Sequence, residues 1–226
     1  MDKLRREHNQ AKRNLIKTLC QKGDHVLDVG CGRGGDLHKW KCSKVRLWAV
    51  DPDPESVREA KDRAQNMDWD VDISVGDVLK APRGPFDIVS YNFSLQYIFA
   101  SEFLLEQSLQ AIRDRVKVGG VFVGVVPDST KILQRPLKWS DSLGNTIERG
   151  PSVCGEGRIG EMILVKLSDG PYYANGAVPE PLCHKDVLIE HLKLKGFQLI
   201  NWEPMLPQPN GLISDIYSQF IFKRVY

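Results

Sequence analysis

Short apolar runs alternate with amphipathic stretches along most of the chain. The runs at 26–29, 45–50, 71–75, 86–91 and 120–126 read as five buried strands, and stretches near 35–42, 54–66 and 102–115 carry helical spacing between them. Strands separated in this way by helices build a parallel sheet with right-handed crossovers. In the second helix Ser56, Val57, Ala60, Ala64 and Met67 share one face, and Pro54 stands near the start, where a missing N–H costs nothing. Gly119-Gly120 marks a tight entry turn into the fifth strand. After residue 128 the pattern breaks. Pro136, Gly144, Gly150, Pro151, Gly155, Gly157 and Gly160 crowd a long stretch that reads as an irregular insertion, either a functional loop or a disordered one. A last helix at 184–195 and strands at 197–202 and 216–223 then close the sheet. The expectation is a single α/β domain over 1–226. Its sheet is mostly parallel and seven-stranded, with an antiparallel last strand and helices on both faces. A basic segment at 1–17 precedes it, and the insertion at 128–180 lies on its substrate side.

Composition narrows the class. With 226 residues, 42% of them hydrophobic, the chain suffices for one well-buried domain and is short for two. A formal net charge of +2 is too small for a protein that tracks along a long nucleic acid. The charge is uneven, however: Lys3, Arg5, Arg6, Lys12, Arg13 and Lys17 face only Asp2 and Glu7 in the first segment, as a solvated helix face or a phosphate contact. Five cysteines without a C-x-x-C pair argue against a disulfide framework and a zinc ribbon, and imply an intracellular chain. The charged start and the absence of a long apolar run leave no signal peptide or membrane span to expect. His184 and His191 lack a partner cluster, so no metal site is expected.

The chemistry begins at residues 26–36, Val-Leu-Asp-Val-Gly-Cys-Gly-Arg-Gly-Gly-Asp, where a strand runs into a glycine turn that opens a helix. Such a turn offers backbone N–H groups to a ligand, and Gly30, Gly32 and Gly34 allow close approach to the chain. Taken alone, the glycines also fit a dinucleotide pattern. Asp28 decides more, because it would repel a pyrophosphate but complements the sulfonium and ammonium of S-adenosylmethionine. Asp51, at the end of the second strand, is placed to bind ribose hydroxyls of either cofactor. Asp77 after the third strand offers a carboxylate to an adenine amino group. The fourth strand ends in Ser90-Tyr91-Asn92-Phe93, which sets Asn92 and Phe93 beside the cofactor in place of the small residues that flank a nicotinamide. Together with the two closing strands, these features favour S-adenosylmethionine.

Three blocks make the reading specific: Val26 to Trp40, Phe86 to Phe99 and Gly119 to Ser129. Their order and spacing resemble messenger-RNA cap (guanine-N7) methyltransferases, with supporting similarity at His8-Asn-Gln-Ala-Lys12, Leu143-Gly-Asn145, Val178-Pro-Glu180 and Ile216 to Lys223. The resemblance implies a Rossmann-like class I methyltransferase fold and S-adenosylmethionine as cofactor. It further implies that Lys12 holds the cofactor carboxylate, Asp28 and Gly30 its amino-acid end, Asp51 its ribose and Asp77 its adenine, with Asp36 supporting the turn. Arg33 and Arg63 fall where the family directs basic residues at the cap triphosphate. Phe93, Tyr97, Pro127, Glu180 and Tyr217 fall around its guanine pocket. Position 96 departs from the pattern, since Gln96 replaces the family's histidine; it keeps a hydrogen-bond donor and loses the ring.

The implied partner is a capped RNA 5′ end, met alone or beside other capping domains or an activating subunit, and not a membrane. The implied location is the cytoplasm for a viral source and the nucleus for a cellular one. The chemistry needs no general base, because guanine N7 carries a free lone pair and the methyl donor is already activated; Tyr97 and Glu180 act by positioning. Two alternatives stay open: a methyltransferase for a small molecule or another RNA position, and a non-catalytic stimulatory subunit of the same fold. Plain packing also remains a reading for Phe93, Tyr97 and Tyr217.

Overall fold

The computed structural model describes residues 2–150, 158–168 and 173–226. A long helix α1 (Asp2–Leu19) leads into β1 (His25–Val29), α2 (Leu37–Cys42), β2 (Arg46–Asp51), α3 (Pro54–Asn66), β3 (Asp72–Val75) and β4 (Phe86–Asn92). A 3₁₀ turn (Leu95–Ala100), α4 (Glu102–Arg115) and β5 (Val116–Pro127) follow. Near the end come α6 (Lys185–Leu194), β10 (Phe197–Pro204), a second 3₁₀ turn (Ile213–Ile216) and β11 (Tyr217–Arg224). These strands form one seven-stranded sheet in the order β10-β11-β5-β4-β1-β2-β3. Only β11 runs antiparallel to its neighbours. The order turns outward from β1 and β4, so their C-terminal ends open a crevice at the switch point where ligands of doubly wound sheets bind.

Local chemistry accounts for the helix that flanks this crevice. Asp53 caps α3 by accepting from the backbone N–H groups of Glu55 and Ser56, and Pro54 takes the first helical position. Ser56, Val57, Ala60 and Ala64 are buried against the sheet, as their spacing predicts. The Gly119-Gly120 entry turn is instead a break inside β5: the β4 register jumps from Phe86–Val116 to Ile88–Val121, so the intervening residues bulge out of the ladder.

The largest departure from expectation is the insertion. Its described part is not irregular: after a short helix α5 (Ser129–Leu133), the strands β6 (Lys138–Ser140), β7 (Thr146–Arg149), β8 (Met162–Lys166) and β9 (Val178–Pro181) form a second, antiparallel sheet. Ile147, Ile163 and Val165 face inward and join Val125, Leu182, Ile213 and Tyr217 in one core cluster. The sheet therefore packs over the end of β5 and the start of β11. Pro151, Cys154, Gly155 and Gly157 lie outside the described residues. The basic amino-terminal segment is helical, with Leu15 and Ile16 buried. Among the described residues, no helix is long and apolar enough to cross a membrane.

Candidate active site

A cleft of about 700 Å³ opens where β1, β2 and β4 end, roofed by α1 on one side and walled by the second sheet on another. Its floor is the glycine turn. Gly30 has a φ of +74°, and a Cβ there would stand 2.3 Å from the Ser94 Cβ. The missing side chain thus admits Ser94, whose hydroxyl donates to the Val29 carbonyl at 2.7 Å and ties the end of β1 to that of β4. Asp51 shapes the turn from the neighbouring strand, accepting from the Gly32 N–H at 2.7 Å and the Asp53 N–H at 3.0 Å.

The amino-acid end of the expected cofactor site is a buried charge network. Asp36 binds Lys12 at 2.7 Å and Lys39 at 2.6 Å, and these two ammonium groups hold its carboxyl below the usual carboxylate range against the opposing effect of burial. Asp28 has a weaker set of partners, the Trp40 indole N–H at 3.1 Å and the Ser90 hydroxyl. Burial, helped by the nearby Asp36 charge, pushes it up to about 7. Asn92 donates to Ser90 at 3.1 Å, while its own carbonyl oxygen is buried without a hydrogen-bond partner. Asp28 and the Asn92 carbonyl are thus two buried acceptors joined through Ser90, with Lys12 close enough to act on the Asp28 charge. This donor set fits a ligand carrying ammonium and sulfonium groups. Asp77 is placed differently: its carboxylate accepts from the Leu79 and Lys80 N–H groups, and it is not among the described residues lining the cleft.

The far end of the cleft is aromatic and polar. Phe93 directly follows β4 with a φ of +62° and is half-buried, with its ring edge-on to Tyr217 at 4.8 Å. That left-handed conformation is costly for a bulky residue, and the ring packs at the margin of the core cluster that contains Tyr217. Tyr97, half exposed on the 3₁₀ turn, is not a core residue either. Pro127 and Tyr217 sit opposite one another in the β5–β11 register. Glu180 reaches the same space from β9, only 4% exposed, and burial raises its carboxyl above the usual value. Gln96 differs from expectation. Its amide group donates to the Phe93 carbonyl and to Glu180 Oε2, both at 3.1 Å, so its protons face the protein and the buried Oε1 is left without a partner. Arg33 and Arg63 line the entrance on either side of Glu59, which lies 3.0 Å from Arg33 and 4.0 Å from Arg63.

Every expected site residue except Asp77 therefore lines one cleft. Sequence reasoning assigned no role to His8 or Tyr173. His8 stacks on Phe93 at 5.7 Å and bonds the Ser214 hydroxyl at 2.6 Å, and the match at residues 8–12 was a usable signal for it. Tyr173 donates to Glu180 Oε1 from the connection between β8 and β9, and had no signal because that connection read as irregular.

Comparison with known proteins agrees with this geometry. The chain is 34% identical over 165 residues to the mRNA cap guanine-N(7) methyltransferase of Eremothecium gossypii, covering 64% of this chain and 38% of that one. It is 32% identical over 190 residues to the enzyme of that name from Candida glabrata, covering 77% of this chain and 43% of that one. The chain thus spans about two fifths of the length of these relatives. Among solved structures, a protein of Pyrococcus horikoshii superposes with a TM-score of 0.70 at 19% identity, covering 97% of this chain and 90% of that one. A S-adenosylmethionine-dependent methyltransferase of Clostridium acetobutylicum gives 0.64 at 16% identity, covering 96% and 91%. These show the expected Rossmann-like methyltransferase fold. The model of the mRNA (guanine-N(7))-methyltransferase domain matches residues 1–149, which include the whole glycine turn and the strand ends around it, and by that match the chain belongs to the mRNA (guanine-N(7))-methyltransferase family.

Proposed function

We propose that this chain transfers a methyl group from S-adenosylmethionine to N7 of the guanine that caps an RNA 5′ end. One observation carries the reading: the turn that fits the cofactor and a base-sized aromatic pocket with a buried carboxylate are parts of a single cleft. The family match ends at residue 149, so Glu180 and Tyr217 enter the argument through their position in that cleft. The cofactor supplies a methyl group on a sulfonium, already activated for displacement.

The chain's own residues do the rest. Asp28 and Asp36 set the charge of the amino-acid end, with Lys12 aimed by its bond to Asp36. Asp51 fixes the turn and keeps lone pairs for ribose hydroxyls. The rings of Phe93 and Tyr217 confine the base. Glu180 accepts from the guanine N1–H and amino group, and favours the positive charge that the ring acquires as N7 takes the methyl. No proton needs to be removed at N7. Holding both reactants in line can supply roughly 7–11 kcal/mol of the barrier. The test is transfer from labelled S-adenosylmethionine to GpppA and GTP, with the methylated atom identified. Label at N7 is expected; label at another atom, or on a small molecule only, would overturn the proposal.

Cofactor affinity should depend on pH through Asp28. With its value near 7 in the ligand-free protein, Asp28 must lose a proton to face an ammonium group. Below pH 7, affinity is therefore expected to fall with each unit of pH and binding to release close to one proton, measured by calorimetry in buffers of different ionisation heat. The same shift affects the fold with a definite sign. Between the unfolded carboxylate value of about 4 and about 7, the folded chain holds the extra proton, so this group costs stability as pH rises through that window. Unchanged affinity from pH 5.5 to 8 would contradict the role of Asp28.

Arg33 and Arg63 are read as contacts to the triphosphate. Either arginine changed to alanine is expected to raise KM for GpppA on the order of tenfold, with little change for guanosine. The defect should shrink in high salt, because phosphate attraction is then already screened. Equal losses on both substrates would remove the phosphate role.

A further inference from the structure

The polar partners of Glu180 are arranged in a way the proposed reaction does not by itself require. Both carboxylate oxygens already hold a protein donor: the Tyr173 hydroxyl on Oε1 and the Gln96 amide on Oε2. The Gln96 amide cannot turn over without setting its oxygen against the Phe93 carbonyl and the carboxylate, so its orientation is fixed by two acceptors. A carboxylate has about four lone-pair positions, and two donors therefore leave room for two more. Those two are what a guanine edge, with its N1–H and amino group, would fill.

Resting on the proposed reaction, we infer that Tyr173 and Gln96 are positioning residues that clamp Glu180 from both sides, fixing its plane and its charge for a base edge carrying two adjacent donors. The Gln96 amide protons then read nothing on the base directly. The clamp joins separate parts of the fold, because Gln96 comes from the 3₁₀ turn after β4, Glu180 from β9 and Tyr173 from the β8–β9 connection. The pocket can thus be oriented only when the second sheet is docked on the first. The hydrogen bonds from Tyr173 and Gln96 favour the ionised carboxylate and so oppose the effect of burial, which still holds Glu180 above the usual value. Among the described residues, the phenols of Tyr173 and Tyr217 face Glu180, and Tyr97 stands close to those two phenols. His8 of α1 packs against Tyr217, and the Lys12 ammonium of the same helix lies 5.4 Å from the centre of the Phe93 ring.

The experiment is a pH profile of kcat/KM for GpppA at saturating S-adenosylmethionine, so that Asp28 is not the group being read, on the wild-type chain, Tyr173→Phe, Gln96→Met and the double variant. Each single variant removes one donor, and its acidic limb is expected to move up by roughly one pH unit, with activity largely recovered at higher pH. The double variant should move further than either. Guanosine caps should also lose part of their advantage over inosine caps, which lack the amino group. S-adenosylmethionine affinity serves as the control and should stay at the wild-type value. An unmoved acidic limb in a folded Tyr173→Phe variant would overturn the clamp; so would a lower KM, which would mark the phenol as an occupant of the base site. If Tyr173→Phe does not fold, the Gln96→Met limb decides alone. Absence of N7 methylation by the wild-type chain would instead overturn the proposed function, and is separately visible.

Discussion

Asp51→Ala is expected to weaken S-adenosylmethionine binding several hundredfold, more than the loss of one ribose contact would explain. The carboxylate has two tasks. In the proposed site it offers acceptors to the cofactor ribose, and it also holds the Gly32 and Asp53 N–H groups, which set the glycine turn and the entry to α3. Hydrogen bonds to a charged group contribute about 1.5–3 kcal/mol each. Losing the ribose contact together with the preorganised turn is therefore expected to cost about 3–4 kcal/mol of binding, at about 1.4 kcal/mol per factor of ten. Asp51→Asn separates the two tasks, since it retains one acceptor oxygen of similar reach but carries no charge. It should lie between the wild type and alanine. Calorimetric titration with S-adenosylmethionine checks both variants, and a dissociation constant for Asp51→Ala within threefold of the wild type would show that the cofactor is held elsewhere.

The same residue illustrates what a sequence discloses. Asp51 was legible because a strand end and a glycine turn at fixed spacing leave few places for a carboxylate to point. Four of the parallel strands, α3 and α4 were legible for a related reason, since each buries a run or face of apolar residues, whereas β3 buries only Ile73. The second sheet left a weaker trace. Its strands have three to five residues and one exposed face, so Met162-Ile-Leu-Val-Lys166, with a single buried pair at Ile163 and Val165, was outweighed by the surrounding glycines and prolines. Glu180 was found despite that, through its resemblance to the family and its place between two prolines. Its donor Tyr173 was not, because a contact between side chains from different elements has no period to reveal it. Gln96 was assigned to the base pocket with its hydrogen-bond donor retained, and only the structure shows that donor turned toward Phe93 and Glu180. Asp77 was placed correctly at the end of β3 and still stands apart from the cleft lining, because its carboxylate caps the turn that follows.

Glu180→Gln should leave cofactor affinity intact and lower turnover on GpppA by roughly 10²–10³, the loss expected when a buried electrostatic contact to the transition state is removed. The substitution preserves volume but replaces one acceptor oxygen by an NH₂ group. In the wild type, donors approach both oxygens from the protein, and the proposed guanine contact would add two more. The amide can keep its carbonyl toward the Gln96 amide only by turning its NH₂ toward Tyr173, whose hydroxyl must then accept. One of the two guanine donors is left facing a donor in either arrangement. Charge makes the effect larger in the rate than in binding. The neutral amide still meets a neutral guanine in the ground state, but it no longer balances the positive charge that grows on the ring as the N7–methyl bond forms, so kcat falls together with kcat/KM. The acidic limb of the rate profile should also disappear, because the group raised by burial is gone. Steady-state kinetics on guanosine and inosine caps across pH decide the matter. Near-normal turnover with the guanine preference intact would mean that Glu180 is a buried structural carboxylate satisfied by Tyr173 and Gln96, and that another part of the cleft reads the base.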